Sequence, residues 1–325
     1  MKEKATIIPI AAGKGGVGKS LITANLGIAL AGMGYETVVV DMDLGGSNLH
    51  SFLGLPNRFP GVGDFLRARN AALPELLVST EFPHLKFLPG DGRMPFLANI
   101  PYAQKLRLIT HVKGLPARYI LLDLGGGTAF NTLDFFRVSF HGFVVVTPEY
   151  PSIMSMLAFL KLFLLRTIER HFAGDRRIRD MLGDFYKESM VEAPTNMDTL
   201  RSRVSVIDAA AGSKMKTIFE HYRPRVLFNR VERPEEAELA EQIDESLSKM
   251  LSLAADYFGV IFEDPKVRES VRRRTPFFSY APDSMAARGI KRTAERVAKF
   301  WDRKIKESAK YVLSHARKIY ENPGG

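Results

Sequence analysis

The amino-acid sequence predicts an α/β fold: a doubly wound, mostly parallel sheet with helices on both faces. Three observations predict it. Short apolar runs alternate with helical stretches along the chain. Several runs, such as Val38-Val39-Val40 and Phe143-Val144-Val145-Val146, are continuously apolar, as suits strands buried on both faces of a parallel sheet. A glycine-rich loop also joins the first strand directly to a helix, and ligands of such sheets bind beyond the C-terminal ends of the strands.

Residues 6–11 read as the first strand, followed by the glycine loop and a helix from 19 to about 33. Residues 37–41 form the second strand. Residues 84–88 and 119–123 read as further strands, with a helix near 101–113 between them, and 142–147, 225–229 and 259–262 complete the sheet. About 75 residues separate the strand ending at Thr147 from the one starting at Arg225, far more than one crossover helix needs. Residues 153–170, 176–188 and 199–222 read as three helices, with Pro194 in a break. They make 151–223 a helical insertion at one edge of the sheet, rich in methionine (Met154, Met156, Met181, Met190, Met197, Met215). The tail, 284–321, reads as one long basic C-terminal helix. Ile290, Ala294, Val297, Trp301, Ile305, Val312 and Ile319 fall near helical spacing there. The expected whole is a single domain over residues 1–325.

The 325 residues, 46% apolar and 25% charged, have the composition of an ordinary globular chain. Cysteine is absent, which excludes disulfides, thiolate zinc sites and iron–sulfur clusters and says nothing of redox compartment. The first apolar stretch, 5–12, runs into the glycine loop, unlike a secretory signal. The longest other run, 153–165, is interrupted by Ser155 and Lys161 and is too short to cross a bilayer. A cytoplasmic protein is expected, peripheral at membrane or nucleoid if anywhere. Net charge is +10, and residues 291–318 hold ten lysines and arginines against Glu295, Asp302 and Glu307. Such asymmetry points to an anionic partner, nucleic acid or membrane surface, or else to a solvated helix face.

Gly13-Lys14-Gly15-Gly16-Val17-Gly18-Lys19-Ser20 satisfies the phosphate-loop pattern, with a strand before it and a helix after it. Glycines let backbone amides converge on phosphate oxygens, and the helix N-terminus adds partial positive charge. Lys19 is expected to reach the β- and γ-phosphates, and the Ser20 hydroxyl to ligate Mg²⁺. The loop amides and Leu21 complete this phosphate cradle. The carboxylates Asp41, Asp43 and Asp123 all stand at C-terminal ends of apolar strands, where an acid needs a nearby cation, and Mg²⁺ and the two lysines are the candidates.

With Lys14 near its start, the loop resembles the deviant Walker A motif of the MinD/ParA superfamily of P-loop ATPases. The stretch after Asp43 is most similar to MinD- and FlhG-like members. That resemblance implies ATP/ADP and Mg²⁺ as ligands. It also implies an ATP-dependent homodimer in which Lys14 reaches the partner's nucleotide. By the same resemblance Asp43 would orient or activate the attacking water, Asn48 would belong to the first switch, and Asp41 would sit near the metal. Tyr119-Ile120-Leu121-Leu122-Asp123 looks like a Walker B strand whose Asp123 holds Mg²⁺ through water. The following Leu124-Gly125-Gly126-Gly127 departs from the family's Ser-Pro-Ala-Gly or Thr-Gly-Ala-Gly, which implies slow turnover. Val226-Leu227-Phe228-Asn229-Arg230 resembles the strand whose terminal Asn contacts adenine, which makes Asn229 and Arg230 base-pocket candidates. Gly259-Val260-Ile261-Phe262-Glu263-Asp264-Pro265 resembles the family's Val-Ile-Pro-Glu-Asp segment, with Phe262 in place of proline. The resemblance covers residues 5–150 and 224–295 and leaves the insertion unmatched.

Three outputs compete for such a switch, which in this family positions a cellular structure in cell division, flagellar assembly or partitioning of chromosome or cargo. One is a membrane surface, reached by the basic tail with Phe300 and Trp301 inserting. Another is non-specific DNA, held by Arg268, Arg272, Arg273 and Arg274. The third is an adaptor whose methionine-rich insertion takes up a protein cargo. A regulatory protein partner is expected with any of them. A P-loop ligase, of the dethiobiotin or cobyrinate kind, is the alternative chemistry.

Overall fold

The first strand, β1 (Thr6–Ala11), ends buried and passes into the glycine loop, and a helix runs from Lys19 to Gly32. The computed structural model describes residues 4–68, 72–90, 100–187 and 196–321. The remaining strands are β2 (Thr37–Met42), β3 (Val78–Ser79), β4 (Leu85–Leu88), β5 (Tyr119–Leu124), β6 (Phe143–Val146), β7 (Arg225–Val231) and β8 (Asp256–Phe262). They form one sheet in the order β3-β4-β2-β5-β1-β6-β7-β8, parallel throughout except for the short edge strand β3. Every residue of β2, β5, β6 and β8 is buried, as their unbroken apolar runs require. β4 starts one residue later than the sequence predicts, because His84 takes φ 64 and turns its ring onto Glu36 at 2.7 Å.

Two apolar layers sandwich the sheet. One holds Leu26 and Leu30 of the loop helix with Ile290 and Val297 of helix Met285–Phe300. The other holds helices Tyr102–Lys113, Phe130–Phe136 and Tyr150–His171. β1 lies at the centre, with β5 and β2 on one side and β6 and β7 on the other. The chain thus reverses its winding at β1, and that reversal opens a crevice above its C-terminal end.

Among the described residues the insertion has four helices: Tyr150–His171, Arg176–Lys187, Met197–Ile207 and Ala209–His221. The single helix expected over 199–222 is broken at Asp208. Asp208 is extended (φ −156, ψ 111), and its carboxylate accepts from the amides of Ala210 and Ala211, so it caps the helix that follows. Met156, Met197 and Met215 are fully buried, and Met154 and Met181 are partly so, so among the described residues the methionines pack mainly into the core rather than forming a surface for cargo. Met190 and Pro194 lie outside the described residues. Tyr150–His171 is 22 residues long and apolar enough to span a bilayer, longer than the run visible in the sequence. Phe159, Leu160, Phe163 and Leu164 within it have no exposed surface, so its apolar face is spent on the core.

The tail forms two helices where one was expected, Met285–Phe300 and Ser308–Glu321. Glu307 takes φ 50 at the break, and the buried Arg225 donates to the carbonyls of Trp301 (2.8 Å) and Arg303 (2.9 Å). Trp301 is 4% exposed and packs on Phe143 and Phe258, so it is a core residue and cannot insert into a membrane.

Candidate nucleotide site

The loop after β1 folds as its glycines require. Gly18 has φ 90, a left-handed conformation, and a Cβ there would stand 2.3 Å from Asn229 Nδ2. That Asn229 amide donates to the Val17 carbonyl at 2.7 Å, so the end of β7 pins the loop from below. Above the loop lies a cleft of about 540 Å³. Lys14, Gly15, Gly16, Val17, Gly18, Lys19, Ser20 and Leu21 line it, with Asp43, Asn48, Ser51, Phe52, Gly126 and Val271.

Lys19 points beneath the loop. Its Nζ lies 2.7 Å from Asp123 Oδ1, both side chains being buried, and 3.4 Å from Ser20 Oγ. Thr23, one helical turn on, donates to the same carboxylate oxygen at 3.0 Å. β2 and β5 pair so that Asp41 lies opposite Asp123. Asp41 is completely buried. It accepts from the Ser47 hydroxyl (2.6 Å) and from the amides of Leu49 and Asp43 (3.1 Å each). Burial, and then the charge of Asp123, push the Asp41 carboxyl up to about 7 against those hydrogen bonds. Two adjoining buried acids share one lysine, and a divalent cation beside the Ser20 hydroxyl would relieve the surplus negative charge. The donor set therefore fits Mg²⁺.

Lys14 and Asp43, both half-buried, also line the cleft. Neither side chain has an ion-pair partner among the described residues. Gly126, in the loop after β5, closes on the start of the phosphate loop at Gly15. A Cβ on Gly126 would lie 3.2 Å from Gly15. The Gly127 amide donates to the Ala12 carbonyl at 3.0 Å. Asn48 turns its amide back to the Gly46 carbonyl (2.7 Å) at the start of the short helix Leu49–Phe52.

Residues 8–277 match the family model of the CobQ/CobB/MinD/ParA nucleotide binding domain. The chain belongs to that family. The flagellum site-determining protein YlxH of Helicobacter pylori is 33% identical over 163 residues, 50% of this chain and 54% of that protein. The septum site-determining protein MinD of the same organism is 34% identical over 150 residues, 46% of this chain and 55% of that protein. This MinD/ParA-type chain thus spans about half the length of the curated relatives it matches. In fold it is similar to the MinD of Pyrococcus horikoshii, solved with Mg-ADP. That comparison gives a TM-score of 0.59 at 22% identity, over 91% of this chain and 96% of the other.

Of the residues singled out in the sequence, Lys14 to Leu21, Asp43 and Asn48 meet in the cleft of this nucleotide-binding domain, with Asp41 and Asp123 buried beneath it. Gly13 stands behind the loop, against the backbone of Ser155. Asn229 and Arg230 do not line the cleft: Asn229 is 4% exposed beneath Val17, and Arg230 turns outward to Glu263 at 2.9 Å. Sequence reasoning missed Thr23, Ser47 and Gly90. Thr23 lies four residues after Lys19 on the same helix face, which is a usable signal. A Cβ on Gly90 would stand 2.8 Å from Ser47 Oγ, a tertiary contact with no local trace. The basic helix Pro265–Arg273 is nearly all exposed and brings Val271 to the cleft, so Arg272, Arg273 and Arg274 stand beside it.

Proposed function

We propose that the chain is an ATP-binding and ATP-hydrolysing switch that dimerises with ATP and positions a cellular structure. The observation that carries this reading is the division of labour between two lysines. Lys19 is committed inside, to Asp123, while Lys14 lines the cleft with no acid partner among the described residues. A second lysine in the cleft that no acid holds is available to a partner's phosphate.

In this reading the loop amides from Gly13 to Ser20 and the helix N-terminus bind the phosphates. Ser20 and Asp123, with Asp41 beneath, hold Mg²⁺, which supplies charge neutralisation on the phosphates when bound. Lys19 leaves Asp123 for the phosphate oxygens as nucleotide enters. Asp43 orients the attacking water, and Asn48 and Gly126 are the parts of the two switch loops that sense the γ-phosphate. Asn229 supports the loop and offers its side-chain oxygen to a base, and Arg230 with Glu263 borders that side. The Mg-ADP held by the Pyrococcus horikoshii MinD supports the ligand assignment.

The partners are a second copy of the chain and a regulatory protein. Arg272, Arg273 and Arg274 add an anionic surface, DNA or membrane, and the protein is cytoplasmic and peripheral. The burial of the insertion's methionines weighs against the cargo adaptor.

The test is binding and turnover of Mg-ATP in the wild type, Lys19→Ala and Asp43→Asn. Lys19→Ala is expected to lose binding. Asp43→Asn is expected to keep binding and to lose turnover by about 10²-fold, the scale of a general acid–base or water-positioning group. Unchanged turnover in Asp43→Asn sinks the assignment of the water.

A further inference from the structure

Lys19 and Thr23 lie one turn apart on the helix Lys19–Gly32, and both are buried. Their polar atoms meet on a single oxygen. Lys19 Nζ stands 2.7 Å from Asp123 Oδ1, and the Thr23 hydroxyl stands 3.0 Å from the same atom.

The hydroxyl has one proton and two acceptors for it, since the Lys19 carbonyl also lies at 3.0 Å. The bond to the carbonyl is the back-bond that a helical threonine commonly makes, and by itself it would leave Thr23 a packing residue. The bond to Asp123 is of another kind. It ties the helix to the end of β5 across 100 residues of chain, between two buried side chains. While Lys19 sits on Oδ1, its ammonium balances that oxygen's charge and the hydroxyl is divided between its two acceptors. When Lys19 moves to the phosphates, Asp123 stays buried opposite a second acid, Asp41, without its lysine. A buried carboxylate in that place needs a donor. An ionised oxygen is also a stronger acceptor than a peptide carbonyl, so the threonine proton goes to Oδ1.

We propose that Thr23 is a positioning residue, whose hydroxyl keeps the Asp123 carboxylate fixed for Mg²⁺ once Lys19 has left it. Threonine suits this task because its branched side chain has few χ1 positions open to it in a helix. The inference rests on the reading of Asp123 as a holder of Mg²⁺.

The experiment measures ADP binding to the full chain by calorimetry, in Mg²⁺ and in EDTA, for the wild type, T23V and T23S. The quantity read is the ratio of the two dissociation constants, which is the tightening that Mg²⁺ confers. Valine keeps the shape of threonine without its hydroxyl, and serine keeps the hydroxyl. The ratio is expected to fall about tenfold in T23V, the scale on which a metal site responds to loss of a hydrogen bond that supports its ligand, and to hold its wild-type value in T23S. T23A also lacks the hydroxyl and is expected to match T23V, so the test stands on either variant should one not fold. A threonine that only packs its helix would weaken binding alike in Mg²⁺ and in EDTA and leave the ratio where it was. An unchanged ratio in T23V and T23A, or a ratio in T23S as low as theirs, overturns the role of Thr23. A wild type that binds ADP equally in Mg²⁺ and EDTA fails at an earlier point, the assignment of Ser20 and Asp123 to the metal, and takes the inference with it.

Discussion

A Cβ on Gly13 would stand 2.1 Å from the carbonyl oxygen of Ser155 and 2.6 Å from the amide of Met156. Both obstacles are backbone of the long helix Tyr150–His171, so neither can swing aside. Gly13→Ala is therefore expected to destabilise the chain by about 1–3 kcal/mol, the usual cost of overpacking, read as a lower denaturant midpoint. An unchanged midpoint would mean that the helix yields. The same residue shows what a sequence can and cannot tell. The glycines, lysines and serine of the loop are legible because phosphate chemistry prescribes them locally. The contact that forbids a side chain at Gly13 joins residues far apart in the chain, as does the Ser47–Gly90 contact beneath Asp41. The bond from the Asn229 amide to the Val17 carbonyl cannot be inferred from a strand-end asparagine alone.

At the scale of elements, Asp134 ties three helices together. It lies on Phe130–Phe136, directly after the glycine loop that covers Gly15. It receives Lys105 (2.7 Å), Arg166 (3.0 Å) and Arg170 (3.4 Å). Burial raises its carboxyl, but hydrogen bonds from Arg166 and Lys105 outweigh burial and hold it below the usual carboxylate range. Removing the acid leaves the buried Lys105 unpaired and Arg166 with Glu169 alone, so Asp134→Ala is expected to cost about 3–5 kcal/mol in chemical unfolding. A loss below about 1 kcal/mol, the level of an exposed ion pair, would refute the hub. The tail makes a second prediction. Burial, then Arg296, Arg292 and Lys318, push the His315 imidazole down to about 4 from 6.5. The unfolded chain takes up this proton first on acidification. The stability His315 contributes is thus complete above pH 6.5 and is lost as pH falls towards about 4. His315→Gln should flatten the stability–pH slope in that window by one proton, and a parallel slope would show that His315 is not so placed. The helix breaks at Asp208 and at Trp301 were not legible in the sequence. Apolar spacing runs through both, and only the Asp208 cap and the Arg225 anchor end the helices there.

For the molecule as a whole, parallel pairing and helices on both faces follow from alternating strands and helices, whereas the order of the strands and the antiparallel edge strand β3 leave no trace in that alternation. The insertion's packing leaves none either, since helical periodicity does not say which face meets the sheet. The central claim concerns two molecules. Lys14 lines the cleft with no ion-pair partner among the described residues while Lys19 is held on Asp123, an arrangement that gains its function when a second copy closes over the nucleotide. The most direct test is solution mass without nucleotide, with ADP and with Mg-ATP, for the wild type and Lys14→Ala. The account predicts a dimer with Mg-ATP alone, and a monomer under every condition once Lys14 is removed. A mass that ignores nucleotide in the wild type, or a Lys14→Ala variant that still dimerises with Mg-ATP, would contradict it.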